Sequence, residues 1–260
     1  MNFNLPHLPD RGVKPRQNGL TMMMDKGLSI REAENFCASS SDFTDLVKFG
    51  FGTSVITKDL ENKIRVYKSA GIKPYLGGTL FEIFVIRGMF DDFRKLLDTY
   101  QLEVAEVSDG SMFIPHEEKL GYIQTLANQV TVLSEVGSKV ADVVIPPNKW
   151  VSMMKAELDV GSWKVIAEAR ESGTVGIYNK NGSANTELID DIVGHVKTDD
   201  VLWEAPDKKQ QVWFIKLLGA NVNLGNISSQ EVIPLETLRL GLRGDTFFEY
   251  LPEDLKDKML

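Results

Sequence analysis

Val165-Ile166-Ala167-Glu168-Ala169-Arg170-Glu171-Ser172-Gly173 is a short apolar run that stops abruptly in charge and then turns on a glycine. Taken as extended chain, it places Ile166, Glu168 and Arg170 on one face, because side chains alternate along a strand. A carboxylate and a guanidinium on the inner face of a buried strand cost free energy unless they are paired or bound to something. Two readings stay open for this stretch alone: a structural ion pair capping a core strand, or one sector of a functional site.

The same pattern recurs along the chain. Strand candidates stand at residues 20–24, 45–49, 71–76, 103–107, 130–135, 164–169, 201–204 and 221–224, most of them ending in charge, glycine or both. Helical spacing follows them at residues 30–38, 60–70, 80–100 (with a break near Gly88), 116–129, 148–160, 185–195, 208–218 and 231–242. Strand-then-helix units at intervals of roughly 20 to 40 residues predict an α/β fold, a single (β/α)8 TIM-type barrel. Strands buried on both faces read as continuous Val/Ile/Leu runs, as these do. An open doubly wound sheet is the alternative. It would be supported by a Gly-x-Gly-x-x-Gly turn after the first strand, where Asp25-Lys26-Gly27 stands instead. Residues 1–18, with Pro6, Pro9 and Pro15, are read as an irregular N-terminal arm. In it Lys14 and Arg16 are expected to be solvated or to edge an anion site. Residues 19–250 form the barrel and catalytic domain, and residues 251–260 a charged C-terminal tail.

Composition narrows the function. The 260-residue chain is 43% hydrophobic and 25% charged, ordinary for a soluble globular protein. A net charge of -8 argues against nucleic-acid binding, which needs a basic face, but not against a small anionic substrate held by a few local cations. The lone Cys37 rules out an internal disulfide framework, fits a reducing cytoplasm and is read as a small buried helix residue. No apolar run approaches the roughly 18 residues that span a bilayer. A cytoplasmic protein with no membrane partner is expected; whether it forms a homo-oligomer is left open.

In a barrel the chemistry sits at the C-terminal ends of the strands. Those ends carry Asp25 and Lys26, Lys48, Gly77-Gly78-Thr79 with Glu82, then Glu106, Ser108 and Asp109. Glu135 with Lys139, Glu168 with Arg170, and Glu204 and Asn223 complete the ring. Any one of these residues is explained structurally. So many ionisable groups at one end of a sheet point to a functional mouth. Several carboxylates and no His/Cys cluster suit a hard cation such as Mg2+ rather than Zn2+, and His7, His116 and His195 are scattered. Phosphate is expected late in the barrel, near Gly225-Asn226-Ile227-Ser228. The constellation best supports a Mg2+-assisted enzyme acting on a small phosphorylated acid. Cations would hold a developing enolate while a lysine moves a proton.

The strand ends also resemble a known family. Asp25-Lys26-Gly27-Leu28, Val47-Lys48-Phe49-Gly50 and Gly77-Gly78-Thr79-Leu80-Phe81-Glu82 are similar to the phosphosulfolactate synthase (ComA) family. So are Ser108-Asp109-Gly110-Ser111, Ser134-Glu135-Val136-Gly137 with Lys139, Glu168-Ala169-Arg170-Glu171-Ser172-Gly173, Glu204-Ala205-Pro206 and Asn223-Leu224-Gly225-Asn226-Ile227. The resemblance implies a (β/α)8 barrel that adds sulfite to phosphoenolpyruvate with Mg2+, giving (2R)-phospho-3-sulfolactate on a route to coenzyme M. Sulfite attacks the methylene carbon, an enediolate forms, and an acid protonates C2. The resemblance makes Lys139 the proton donor. Lys48 and Arg170 are catalytic candidates that hold the anions. Glu106, Glu135 and Glu168 are the candidates for Mg2+. Lys26, Thr79, Ser108, Asn223, Gly225 and Asn226 are expected to bind substrate. The sequence departs from the family pattern at Phe51, where Trp is common, and at Leu76, where Pro is common. Two alternatives stay open: a related Mg2+-dependent lyase or aldol-type enzyme on another phosphorylated acid, and a non-catalytic, stress-associated barrel protein.

Overall fold

A computed structural model describes residues 2–139, 145–170 and 172–258. Glu171 of the decisive stretch, and residues 259–260 of the expected tail, lie outside the described residues.

The chain alternates strand and helix as expected: β1 Thr21–Asp25, α1 Ile30–Ser40, β2 Leu46–Phe49, α2 Leu60–Ser69, β3 Lys73–Leu76, α3 Gly78–Val85 and α4 Phe90–Thr99. There follow β4 Val104–Val107, α5 His116–Ala127, β5 Thr131–Val136, α6 Pro147–Asp159, β6 Ser162–Ala167 and α7 Thr186–His195. The last elements are β7 Val201–Glu204, α8 Lys208–Leu218, β8 Leu224–Ser228, α9 Val232–Arg239 and α10 Glu253–Lys256. The eight parallel strands run in the order β3-β2-β1-β8-β7-β6-β5-β4. The outer members of that order, β3 and β4, lie against each other and bring the sheet round into a barrel.

Strand alternation builds two cores. Met22, Leu46, Tyr75, Val104, Leu133, Ile166 and Leu202 point inward and fill the barrel. Their neighbours Met23, Val47, Ala105, Val132, Val165 and Val201 point outward beneath the helices. Capping sets some helix starts: Ser29 and Glu32 form a capping box at α1, and Asp207 and Gln210 do so at α8. The helical stretch expected over residues 80–100 breaks near Gly88, as expected: it is two helices, α3 and α4, and Gly88 between them has a φ of 69° that favours glycine.

The arm lies against the N-terminal end of the barrel and is tethered there. Arg11 pairs with Glu236 at 2.9 Å and Arg16 with Asp45 at 3.0 Å, while Lys14 Nζ donates to the carbonyls of Ser41 and Thr44. Lys14 and Arg16 are therefore structural ties, not the solvated or anion-edging residues expected. Cys37 is half-buried on α1, packed against the outer core.

Candidate active site

The site is the next layer of the barrel interior. A residue two positions after an inward one points inward again, one step nearer the strand's C-terminal end. Lys48 follows Leu46, Glu106 follows Val104, Glu135 follows Leu133, Glu168 follows Ile166 and Glu204 follows Leu202. All five are buried. A dry apolar layer thus carries a charged one, with Lys48, Glu106, Glu135 and Glu204 on the strands themselves and Glu168 one residue past the end of β6.

Lys48 occupies the centre. Its Nζ lies 2.9 Å from Glu106 Oε1, 3.4 Å from Glu204 Oε1 and 3.6 Å from Glu135 Oε2. Lys139, in the loop after β5, reaches in from above: 2.6 Å to Glu135 Oε1, 3.0 Å to Ser108 Oγ, 3.5 Å to Glu82 Oε1 and 3.8 Å to Glu168 Oε2. Ser108 Oγ also contacts Glu82 and lies 2.8 Å from Glu135 Oε1. The backbone supplies further donors. Gly78 N–H bonds Glu106 Oε1 at 2.6 Å, Ala169 N–H bonds Glu204 Oε2 at 3.0 Å, and Arg170 N–H bonds Glu168 Oε1 at 2.5 Å. Gly78 has to be glycine, because a Cβ there would collide with Ser108 Cβ and stand 2.7 Å from Glu106 Oε1.

Burial opposes charge on both lysines, yet the surrounding carboxylates win and hold each well above the ordinary lysine range. Lys139 is therefore an ammonium at neutral pH, a proton donor facing the cavity. Burial also opposes charge on Glu135, but Lys139 and Lys48 outweigh it and push that carboxyl down. Glu168 goes the other way: burial first, then Glu135 and Glu204, raise it well above the usual carboxylate range. Burial raises Glu204 as well, against the pull of Lys48.

Excess negative charge is thus gathered on one side of the mouth. Glu135, Glu168 and Glu204 each offer an oxygen atom within 4.8 Å of the others. Glu135 Oε2 and Glu168 Oε2 accept no hydrogen bond among the described residues. Buried, converging carboxylate oxygens without donors fit a hard divalent cation.

The layer opens into a cavity of about 430 Å3, lined by Lys48, Glu135, Lys139, Glu168, Arg170 and Glu204 together with Met24, Gly50, Phe51, Gly77, Thr79, Ser111 and Asn226. Of the expected residues, Lys48, Glu106, Ser108, Glu135, Lys139 and Glu168 are brought together, and Thr79 and Asn226 line the cavity. Arg170 lines it too, but by another route than strand alternation. β6 ends at Ala167, and Arg170 adopts a φ of 57°, is exposed and donates to the Lys139 carbonyl at 3.3 Å.

Others fall elsewhere. β8 starts at Leu224, not residue 221, so Asn223 lies at the opposite end of the barrel. There it takes the Leu20 N–H and donates to the carbonyls of Asp199 and Val201, which corrects its expected substrate role. Gly225 lies inside the barrel wall, where a Cβ would come within 2.8 Å of Met22, so it serves packing and not substrate. Lys26 is an exposed rim residue with its ammonium 5.9 Å from the Phe51 ring centroid, and it does not line the cavity. Asp25 and Asp109, expected in the ring, face the helices instead, bound to Lys63 at 2.7 Å and to Lys119 at 2.9 Å. Glu204, rather than Glu106, completes the carboxylate trio; Glu106 is held by Lys48 and the Gly78 N–H. The signal for Glu204 was present in its position two residues after Leu202.

Barrel, buried acid–lysine layer and enclosing cavity together define a barrel enzyme whose chemistry sits at the strand ends. The chain belongs to the (2R)-phospho-3-sulfolactate synthase (ComA) family, whose model matches residues 9–245. It is 41% identical to the phosphosulfolactate synthase of Bacillus subtilis over 95% of this chain and 99% of that protein. It is 44% identical to that of Methanocaldococcus jannaschii over 89% and 94%. Among solved structures, 3-hexulose-6-phosphate synthase from Salmonella typhimurium shares the fold, with a TM-score of 0.55 at 13% identity over 86% of this chain and all of that one. No helix among the described residues is long and apolar enough to cross a membrane.

Proposed function

We propose that this protein adds sulfite to phosphoenolpyruvate to give (2R)-phospho-3-sulfolactate, a carbon–sulfur bond-forming lyase reaction, with Mg2+ held by Glu135, Glu168 and Glu204. The observation that carries this reading is the placement of Lys139: an amine held in its protonated form by neighbouring carboxylates, anchored by Glu135 at 2.6 Å and lining the cavity beside the carboxylate trio. The family membership and the synthase relatives support the same substrates.

Sulfite sulfur attacks the methylene carbon of phosphoenolpyruvate, forming the C–S bond. The π electron pair moves to C2 and its carboxylate, and Lys139 delivers one proton to C2. Nothing leaves, and the lysine recovers its proton from solvent. When bound, Mg2+ supplies charge stabilisation to the developing enediolate. Lys48, at the floor of the cavity, adds positive charge beneath the reacting carboxylate. Arg170 at the rim, with Thr79 in the first turn of α3 and Asn226, holds the remaining anionic oxygens. Ser108 accepts from Lys139 and keeps its ammonium aimed.

Running the reaction in D2O tests the reading. The product should carry one deuterium at C2 and a single configuration, as seen by NMR. Product racemic at C2 would sink the role given to Lys139. No product from phosphoenolpyruvate, sulfite and Mg2+ would turn the reading toward a lyase on another phosphorylated acid.

A further inference from the structure

Behind the barrel wall, outside the site, a fully buried lysine grips the site's backbone. Lys119 on α5 is fully buried. Its ammonium donates to Asp109 Oδ1 at 2.9 Å and to the Glu135 carbonyl oxygen at 2.5 Å, and it pairs with Glu157 Oε1 of α6 at 2.8 Å. Those three partners use all three ammonium hydrogens. Burying such a group seldom raises stability over an apolar replacement, so its position has to be explained by what it holds in place.

What it holds is the gap between two strand ends. The ladder between β4 and β5 ends at Val107 and Ser134, while β5 continues to Val136 against β6 alone. Beyond that point the two chains diverge into the loops that carry Ser108 and Lys139. Among the described residues they are bridged by Ser108 to Glu135 and Lys139 Nζ to Ser108 inside the barrel, by the Lys139 N–H to the Gly110 carbonyl at 3.0 Å above, and by Lys119 outside. Two helix residues reach both sides of the gap: Glu82 of α3 through Ser108 and Lys139, and Lys119 from behind the wall, through Asp109 on one strand end and the Glu135 carbonyl on the other.

We propose that Lys119 is a positioning residue: by clamping Asp109 to the Glu135 backbone it sets where Glu135 presents Lys139 to the substrate. The kinetic part rests on the synthase reading above; the geometric part does not. A displacement of about 1 Å at a reacting group is enough to cost about 100-fold in rate.

Two variants test it. Lys119→Met/Asp109→Asn/Glu157→Gln removes all three charges together, so no buried ion is left unpaired. Asp109→Ala cuts one tie and keeps the Lys119–Glu157 pair. For the triple variant, folded by circular dichroism, kcat should fall about 100-fold while KM for phosphoenolpyruvate stays within about threefold, because the loss lies in proton delivery and not in binding. The solvent deuterium isotope effect on kcat should rise. Asp109→Ala should move both readouts the same way, less far. A crystal structure of whichever variant folds should show the 2.6 Å contact of Lys139 with Glu135 broken or lengthened. A variant that keeps kcat within about twofold, or whose Lys139–Glu135 contact is unchanged in the crystal, overturns the proposal. The crystallographic result decides it even if the parent protein fails to turn over sulfite, an outcome that would count against the synthase reading alone.

Discussion

Leu133 and Glu135 leave β5 on the same side, one layer apart, Leu133 sealing the barrel interior and Glu135 standing on it among Lys48, Lys139 and Ser108. Four other strands repeat the relationship, so a floor of side chains excludes water from beneath a layer of charge. In that setting each charge is felt strongly by its neighbours, which is why lysines and carboxylates a few ångströms apart shift one another in opposite senses.

Lys139→Ala should lower kcat by about 10²–10⁴-fold, the range for loss of a positioned acid, with the far-UV circular dichroism unchanged. Lys139→Arg, which keeps the charge but holds its proton more tightly, should recover binding of phosphoenolpyruvate without recovering the rate. Stopped assays and ligand titration on the two variants check this.

Glu204→Gln should raise the Mg2+ concentration needed for half-maximal activity by at least about tenfold, the cost of weakening a ligand set, whereas Glu106→Gln should not. Glu106 instead shares Lys48 at 2.9 Å, so its loss should appear in kcat at saturating Mg2+. Activity titrated with Mg2+ after chelator treatment separates the two, and EDTA alone should stop turnover reversibly.

The stability of the metal-free protein should fall as pH rises above the ordinary carboxylate range. Burial, with Glu135 and Glu204, lifts the Glu168 carboxyl well above its ordinary 4.5, so the folded state binds that proton more tightly than the unfolded chain. Its contribution is complete below that ordinary value and is lost as pH climbs through the raised one. Glu135, pushed down by the lysines against its burial, acts oppositely: its contribution is lost only as pH falls through the lowered value. The Glu168 slope should therefore show in Tm as pH rises above its ordinary 4.5, and Glu168→Gln or saturating Mg2+ should flatten it.

Gly78→Ala should cost activity without costing the helix it begins. Alanine favours helix, but its methyl would collide with Ser108 and crowd Glu106. Ser108 must then move from between Glu135 and Lys139. A fall in kcat of at least about tenfold with an unchanged circular dichroism spectrum is expected.

Asp25→Ala should destabilise by about 3–5 kcal/mol, because it strands the fully buried Lys63 without its partner. Tyr67, which donates to Asp25 at 2.7 Å, loses an acceptor as well. Denaturant unfolding should show the loss, and the activity of the folded fraction should be near normal, since this pair faces the helices and not the cavity.

These contrasts show what was legible in the residues. Repeated apolar runs ending in charge fixed the barrel, and the Leu133–Glu135 spacing fixed much of the site, because alternation in a buried strand leaves no choice of face. Asp25 misled because it stands two residues after the outward-facing Met23, and outward charges at a strand end look the same in sequence as inward ones. Asn223 misled because the last strand begins at Leu224, three residues later than its apolar onset suggested, which moves Asn223 to the far end of the barrel. Arg170 reaches the cavity through a left-handed turn that no alternation rule foresees. Lys119 gave no signal at all: a lysine on a helix reads as solvated until the acids around it are placed.

The most direct measurement is phosphoenolpyruvate consumption by the purified protein with Mg2+, with and without sulfite, beside the Lys139→Ala variant. The account expects loss of phosphoenolpyruvate only when sulfite is present, matched by formation of phosphosulfolactate, and almost none in the variant. Consumption that ignores sulfite, or a variant as fast as its parent, would contradict it.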